Sequence, residues 1–385
     1  MAEPNAKGAA PYAVVTGGGT SGHVLPALAV AEALVARGHD PATIHYYGCQ
    51  RGIETRLLPE TPFPHRFLDV VGFQRSLSTR NLGFVPKLWR ARRAAIAAFR
   101  DARPKVVVSV GGYASMPAVL AARKLGIPVV VVSYDLKPGR ASQLAARRAV
   151  ACAVAFPDSP LPRATLTGAP VRRAILDVDR PRDRDGARAR LGLPADRFVV
   201  AVMGGSQGSG VLNDAVWEWL DRLRDDRALA IRHAVGERFL ELAPPARDGT
   251  DGVLYQPIGY ESDMPLVYAA ADVLVGRGGA STVHEVAVTG IPAVLVPWSG
   301  SAEDHQTLNV TWLSDVGAAI HLPEDEVGRL GDVLDELRDD HVRRDALAAA
   351  ATRRGQVHRS GALAALVESV AGRSVDGPAP DVPAT

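Results

Sequence analysis

The stretch Val14-Val15-Thr16-Gly17-Gly18-Gly19-Thr20-Ser21-Gly22-His23, running straight into Val24–Arg37, decides how this chain folds. A β-branched run, strand Tyr12–Thr16, ends in three glycines, and an Ala/Leu-rich helical stretch opens at once. Glycines let the backbone turn tightly and approach a ligand, while a helix start offers unpaired N–H groups and the positive end of a dipole. That combination suits an anionic phosphate. The G-x-G-x-x-G spacing can be forced through Gly17, Gly19 and Gly22, but no acidic residue closes the second strand at Thr43–Tyr47, where a dinucleotide ribose would be held. A glycine turn by itself serves equally well as a plain strand–helix connection. His23 tilts the reading toward chemistry, because an ionisable ring at a helix start is a candidate acid, base or donor.

Outward from this unit, strand-like runs alternate with helical stretches, the pattern of parallel βαβ units. Strands are expected at Thr43–Tyr47, Val106–Val110, Val129–Val132 and Cys152–Phe156, with helices at Val85–Arg103, Met116–Leu125 and Arg140–Arg148. The strand runs are continuously apolar, as when helices cover both faces of a sheet. Around Gly168–Asp185 the texture turns to Gly, Pro, Arg and Asp without apolar periodicity, which reads as an interdomain connection. A second series follows. Strands are expected at Val199–Met203, Ile231–Val235, Val253–Tyr255, Val273–Val275 and Ala293–Val296, and helices at Val211–Leu223, Thr282–Thr289 and His305–Ser314. The expected organisation is an N-terminal Rossmann-like domain over 11–167, a linker over 168–186, and a second Rossmann-like domain over 187–369 whose last helix can pack back on the first. A disordered, Pro/Asp/Ala-rich tail is expected over 370–385. With two doubly wound domains, ligands belong beyond the carboxyl ends of the strands, in the gap between them.

Composition narrows the partners. The 385 residues are 47% hydrophobic and 22% charged, and net charge is +2, which disfavours a general nucleic-acid binder. Cys49 and Cys152 match no metal or redox spacing and read as buried thiols in a reducing cytoplasm. No secretory signal and no apolar run of about 20 residues stands out, so a soluble or peripheral protein is expected.

Further glycine turns repeat the first. Gly111-Gly112-Tyr113 follows one strand, and Gly204-Gly205-Ser206-Gln207-Gly208 another. Gly276-Arg277-Gly278-Gly279-Ala280-Ser281-Thr282-Val283-His284-Glu285 is again strand, turn and helix, with Glu285 placed to accept ribose hydroxyls. His305, Gln306 and Asn309 share one helix face and can present polar groups to a diphosphate or sugar. No G-x-x-x-x-G-K-[ST] occurs, so P-loop ATP hydrolysis is disfavoured. Asp177, Asp179, Asp183 and Asp185 sit in the Arg-rich linker and read as solvated charge, not as a Mg²⁺ site.

Taken in order, GGGTSGH, GGY, Gly168-Ala169-Pro170-Val171-Arg172, GGSQG, GGAST-x-HE and HQ-x-x-N resemble the MurG-like family of glycosyltransferases, glycosyltransferase family 28. The likeness runs over roughly 14–320. It implies an α/β, GT-B fold, two Rossmann-like doubly wound domains facing across a cleft. It also implies inverting, metal- and cofactor-free transfer of N-acetylglucosamine from UDP-GlcNAc to an undecaprenyl-diphosphate-linked muramyl peptide, at the cytoplasmic face of the cell membrane. By that resemblance Thr20, Ser21 and Gly22 face the transferred sugar. Arg172, Ser206, Gln207, Ala280, Ser281, Thr282, Val283, His284, Glu285 and Gln306 hold the donor, with Glu285 on the ribose, and Glu261 meets the uracil through its backbone. Gly18, Gly19, Gly111, Gly112 and Tyr113 meet the acceptor diphosphate. The chain departs from the family at Val132-Ser133-Tyr134-Asp135, where His-Glu-Gln-Asn is usual. Asp135 at the donor-contacting place and His23 are the two candidate bases for the acceptor hydroxyl.

A basic, aromatic-bearing segment, with Phe73, Phe84, Lys87, Trp89 and Arg92, suits adsorption to an anionic membrane surface. Three alternatives remain at this stage: the same donor with another acceptor, a non-catalytic UDP-sugar binder, and a UDP-sugar epimerase.

Overall fold

Runs such as Val106-Val107-Val108 and Val199-Val200-Ala201-Val202 are buried on both faces, and they build two parallel sheets in a computed structural model of the chain. The structure describes residues 10–19, 21–70, 84–205, 207–301 and 304–372. These fall into two units, one from Met1–Arg172 with Ser360–Thr385, the other Arg173–Arg359.

Unit 1 has strands β1 (Ala13–Thr16), β2 (Ile44–Cys49), β3 (His65–Leu68), β4 (Val106–Ser109), β5 (Val129–Ser133), β6 (Ala151–Val154) and β7 (Ala164–Leu166), ordered β3-β2-β1-β4-β5-β6-β7. Its first helices are α1 (Ser21–Ala36), α2 (Glu54–Leu57), α3 (Phe84–Asp101), α4 (Met116–Lys124) and α5 (Arg140–Ala146). All its strand pairings are parallel among the described residues. Val14, Val107 and Val131 cluster with Ala95, Phe99 and Ala118 of α3 and α4. Their neighbours Val15, Val108 and Val130 are equally buried, so no polar face exists to alternate with.

Unit 2 opens with α6 (Arg173–Leu176) and α7 (Arg180–Leu191). Its strands are β8 (Phe198–Met203), β9 (Leu229–Ala234), β10 (Arg247–Asp248), β11 (Leu254–Ile258), β12 (Val273–Gly276), β13 (Ala293–Leu295) and β14 (Ile320–His321), ordered β10-β11-β9-β8-β12-β13-β14, with β10 antiparallel. Around them lie α8 (Gly210–Arg222), α9 (Met264–Ala270), α10 (Ala280–Thr289), α11 (His305–Ser314), α12 (Leu330–Asp339) and α13 (His341–Gly355). The last helix, α14 (Ala362–Ala371), belongs to unit 1. There Glu368 accepts hydrogen bonds from Arg37 at 2.8 Å and from His39 at 3.0 Å.

The boundaries differ from those expected at 168–186 and 369. The Arg- and Asp-rich stretch is helical: Asp179 caps α7, and the Arg180 and Arg188 guanidiniums reach the carbonyls of Ala271 and Ala270. Most of the expected tail, 373–385, lies outside the described residues. The short strands β3, β7, β10 and β14 were not expected; β7 lies on the exposed side throughout and β10 and β14 have two residues each, too little apolar sequence to announce a strand. Among the described residues no helix is long and apolar enough to cross a membrane. Both cysteines are buried and free.

A polar network crosses the unit 2 core. His233 contacts Asn213 at 3.0 Å and Tyr255 at 3.2 Å, and Asn213 donates to the Val235 carbonyl at 3.0 Å. Burial pushes the His233 pKa down to about 3. An unfolded chain binds this proton below pH 6.5 and the folded chain does not, so stability falls on acidification between those values. His233→Asn, compared with the parent by urea unfolding, is expected to remove about 2 kcal/mol of the stability lost between pH 7 and pH 5; equal losses in both proteins would contradict it.

Candidate functional site

In unit 1 the turns after β1 and β4 meet at the carboxyl end of the sheet. Gly112 has φ +74°, and a Cβ there would lie 2.6 Å from the Gly18 carbonyl oxygen and 3.4 Å from the His23 ring. The Tyr46 hydroxyl donates to the Gly17 carbonyl at 2.7 Å, fixing the turn from beneath. His23, in the first turn of α1, is thereby held against Gly111 and Gly112.

The second strand ends without an acidic residue, and the next carboxyl along the chain belongs to Glu54 of α2. Strand β2 continues to Cys49, and Glu54, fully buried in α2, turns back to the first glycine turn. Its Oε1 accepts the Gly19 N–H at 3.1 Å and the Cys49 thiol at 2.8 Å. The Gly19 amide is therefore engaged by a carboxylate. Burial first, and then the Glu54 hydrogen bond, push the Cys49 thiol up to about 11; burial and the neighbouring Cys49 push the Tyr113 phenol up to about 12. Glu54 lies outside every glycine motif, and its only signal was a lone acid after Gly52.

The Ser133–Asp135 turn has a structural role. Pro26 lies inside α1 and has no N–H, so the Gly22 carbonyl four residues earlier lacks its helical donor. The hydroxyl of Tyr134, immediately after β5, donates to that carbonyl. Burial raises the Tyr134 pKa well above 10, so the phenol remains a donor. Asp135 is half-buried beside it. Burial lowers the His23 pKa below 6.5, while the charges of Asp135 and Glu54 pull it back up. The imidazole is thus neutral near pH 7 and able to accept a proton. Arg172, at the end of unit 1, donates from Nε to Glu32 of α1 at 2.6 Å.

In unit 2 four segments meet at the carboxyl ends of β8, β9, β12 and β13. A Cβ on Gly208, at φ +70°, would overlap the Val235 carbonyl and lie 2.8 Å from the Gly236 Cα. Ser209 caps α8 through the Leu212 N–H. The Arg277 guanidinium, 11% exposed, ties the others together: it donates to Ser209 Oγ at 2.5 Å and to the Val296 carbonyl at 3.2 Å, and pairs with Glu324 at 2.6 Å. Burial alone would raise the Glu324 pKa, but the Ser299 hydroxyl and N–H and the Arg277 charge outweigh it and hold the carboxyl below its ordinary value. Gln306 Oε1 accepts the Trp298 N–H at 2.9 Å. Glu285 is half-buried in α10, and its Oε2 accepts the Tyr268 hydroxyl at 2.7 Å.

Several expected side chains point elsewhere. Val283 is wholly buried, and His284 turns inward to His358 at 3.2 Å and to the edge of Trp312, so only their backbone can face a ligand. Asn309 is buried and donates to the Gly278 carbonyl at 3.4 Å, binding α11 to the turn instead of facing a diphosphate. The Glu261 carboxylate pairs with Arg232 at 2.6 Å and accepts the Asp263 N–H, which likewise leaves its main chain for a base. Ala280 is buried, Ser281 and Thr282 are half-buried, and Gln207 is exposed. Thr20, Ser206, Phe73 and the side chains of Ser21 and Phe84 lie outside the described residues. Lys87 pairs with Asp69 at 3.3 Å, and Trp89 is 52% exposed with the Arg93 guanidinium 4.6 Å from its ring centroid. Among the described residues no group of three His, Cys, Asp or Glu is arranged to hold a metal ion.

Residues 13–154 match the glycosyltransferase family 28 N-terminal domain and residues 199–361 its C-terminal domain. The UDP-N-acetylglucosamine–N-acetylmuramyl-(pentapeptide) pyrophosphoryl-undecaprenol N-acetylglucosamine transferase of Cutibacterium acnes is 40% identical over 317 residues, 80% of this chain and 83% of the relative. That of Halorhodospira halophila is 37% identical over 93% of this chain and 98% of the relative. Among solved structures, Acinetobacter baumannii MurG superposes with a TM-score of 0.66 at 27% identity, covering 93% of this chain and 98% of that one, and the two parallel-sheet domains have the GT-B architecture.

The glycine turn of unit 2 separates two costs. At Gly205, φ +85° with open space around it, an alanine pays only for the left-handed backbone, about 1–2 kcal/mol. At Gly208 it must also displace main chain, adding about 1–3 kcal/mol. Urea unfolding of Gly205→Ala and Gly208→Ala is expected to rank them in that order, and equal costs would refute the close approach.

Proposed function

The chain belongs to glycosyltransferase family 28, and from that membership and the geometry of both units we infer that it is a UDP-N-acetylglucosamine-dependent hexosyltransferase. It moves N-acetylglucosamine to a lipid-linked muramyl pentapeptide in peptidoglycan synthesis. The observation that carries this reading is the 40% identity to a transferase of that name over four-fifths of the chain, with glycine turns at the carboxyl ends of the central strands in both units.

Each step has its own groups. Unit 2 takes the donor: Glu285 accepts the ribose hydroxyls, the Glu261 main chain meets the base, and helix-start N–H groups of α10 face the diphosphate. Arg172, matched by the resemblance to a donor-diphosphate arginine, offsets charge on the departing UDP, as preorganised cations and amides do in group transfer. Unit 1 takes the acceptor. Because Glu54 engages the Gly19 N–H, the lipid diphosphate is assigned to the Gly111–Tyr113 turn. His23 removes the proton from the acceptor hydroxyl as that oxygen attacks the anomeric carbon and UDP departs. Asp135 stabilises the imidazolium that results. The proposed transfer uses no metal or cofactor.

We propose that α3 lies against the anionic cytoplasmic surface of the membrane, a reading supported by the exposed Trp89 and its neighbouring arginines. The Ser133-Tyr134-Asp135 turn favours one second reading, an altered acceptor with the same donor.

Purified protein given radiolabelled UDP-N-acetylglucosamine and lipid-linked muramyl pentapeptide is expected to yield labelled lipid. Transfer to another lipid acceptor alone would select the second reading, and none at all would sink both. His23→Gln is expected to lower kcat by about 10²–10⁴-fold and to abolish an acid limb whose midpoint lies below pH 6.5; an unchanged kcat would remove His23 from the role. In flotation with anionic vesicles, Trp89→Ser is expected to weaken recovery, and equal recovery would remove this face from membrane contact.

A further inference from the structure

Glu285 does not stand alone in α10. The Tyr268 hydroxyl, on a side chain with no exposed surface, donates to its Oε2 at 2.7 Å. Burial first, and then the Glu285 charge, raise the Tyr268 pKa well above 10, so the phenol keeps its proton at any working pH. The ring's own backbone is anchored too. Arg180 of α7 donates from Nε to the Tyr268 carbonyl at 3.0 Å and from its terminal nitrogens to the carbonyls of Ala271 at 2.6 Å and Gly290 at 3.4 Å. Gly290 is the left-handed cap of α10, so one guanidinium ties the carboxyl end of α9, which carries Tyr268, to the carboxyl end of α10, which carries Glu285.

This arrangement constrains a flexible side chain. A glutamate has three rotatable bonds, and ordering such a side chain on binding costs about 0.5–1.5 kcal/mol. A carboxylate held beforehand by a rigid buried donor avoids part of that cost and presents one orientation of its oxygens.

We propose that Tyr268 is a positioning residue for donor recognition, holding the Glu285 carboxylate in the orientation that accepts the ribose hydroxyls of a uridine diphosphate. The proposal rests on the reading of Glu285 as the ribose-binding residue. Arg180 supports it at one remove by fixing the α9–α10 pair. Tyr268 touches no substrate and acts only through Glu285.

Calorimetry with uridine diphosphate and with its 2′,3′-dideoxy analogue tests this directly. The parent protein is expected to bind uridine diphosphate more tightly than the analogue. Tyr268→Phe, which keeps the ring and removes one oxygen, is expected to weaken uridine diphosphate about twofold to twelvefold, the ordering cost that the held carboxylate avoids. It should leave the analogue's affinity unchanged. In steady-state assays the same variant should raise KM for the sugar donor with kcat within about twofold, the pattern of lost uniform binding.

Equal weakening of both ligands, or no weakening in a folded variant, would overturn the positioning role. A parent protein that fails to distinguish the two ligands would instead overturn the ribose reading beneath it, and the proposal with it. If Tyr268→Phe does not fold, the parent's Tyr268 hydroxyl proton resonance provides the measurement. It is expected to move on adding uridine diphosphate and not on adding the analogue; no difference between the two would refute the proposal.

Discussion

Main chain must touch main chain at the carboxyl ends of the strands, and the candidate site follows from that constraint. Gly112 closes on the Gly18 carbonyl in unit 1, and Gly208 on Val235 and Gly236 in unit 2. A parallel sheet covered on both faces brings successive strand–helix turns to the same edge, so the turns compete for one small volume. Where two cross, no side chain fits, and backbone amides become the chemistry available there. Buried polar side chains then hold what glycine alone would leave loose. Tyr46 grips the Gly17 carbonyl, Glu54 the Gly19 amide, and Asn309 the Gly278 carbonyl.

Charge is distributed differently in the two units. In unit 2 the Arg277 guanidinium joins the caps and turns of three segments, and Glu324 balances it. A buried pair of this kind contributes less to net stability than to specifying one arrangement, because desolvation offsets much of the attraction. In unit 1 the buried charge is a carboxylate, Glu54, directly beneath the first glycine turn. It occupies an amide that would otherwise face an anion, and its field, with that of Asp135, opposes the lowering of the His23 pKa by burial. A ring kept neutral by burial yet faced by two carboxylates suits a group that takes up a proton during a reaction.

Tyr134 and Pro26 form a matched pair that no linear pattern reveals. A proline within the first turns of α1 vacates the Gly22 carbonyl, and a phenol 112 residues away supplies the missing donor. The Ser133-Tyr134-Asp135 turn thus anchors the helix start that carries His23. In unit 2, Tyr268 does for Glu285 what Tyr134 does for Gly22. Both are buried phenols whose raised pKa keeps them donors.

The central strands β1, β4, β5, β8 and β12 were legible because β-branched residues buried on both faces leave an unbroken apolar run, and glycines mark where each strand gives way to a helix. The same letters sufficed for the fold class and for the positions of the glycine turns, since both depend on local conformational preference and on what a missing Cβ permits. The edge strands and the helical nature of 180–191 escaped, because short exposed pairings and guanidinium-to-carbonyl bonds carry no periodicity. Which way a side chain points was also beyond the sequence. Val283, His284 and Glu285 are consecutive, yet one helical turn sends the first two into the core and leaves the third half-exposed. Glu54, Tyr134, Tyr268 and Arg277 act on partners between 17 and 112 residues distant. Tertiary structure alone selects such partners, because a hydrogen bond depends on the distance between atoms in space and not on their separation along the chain.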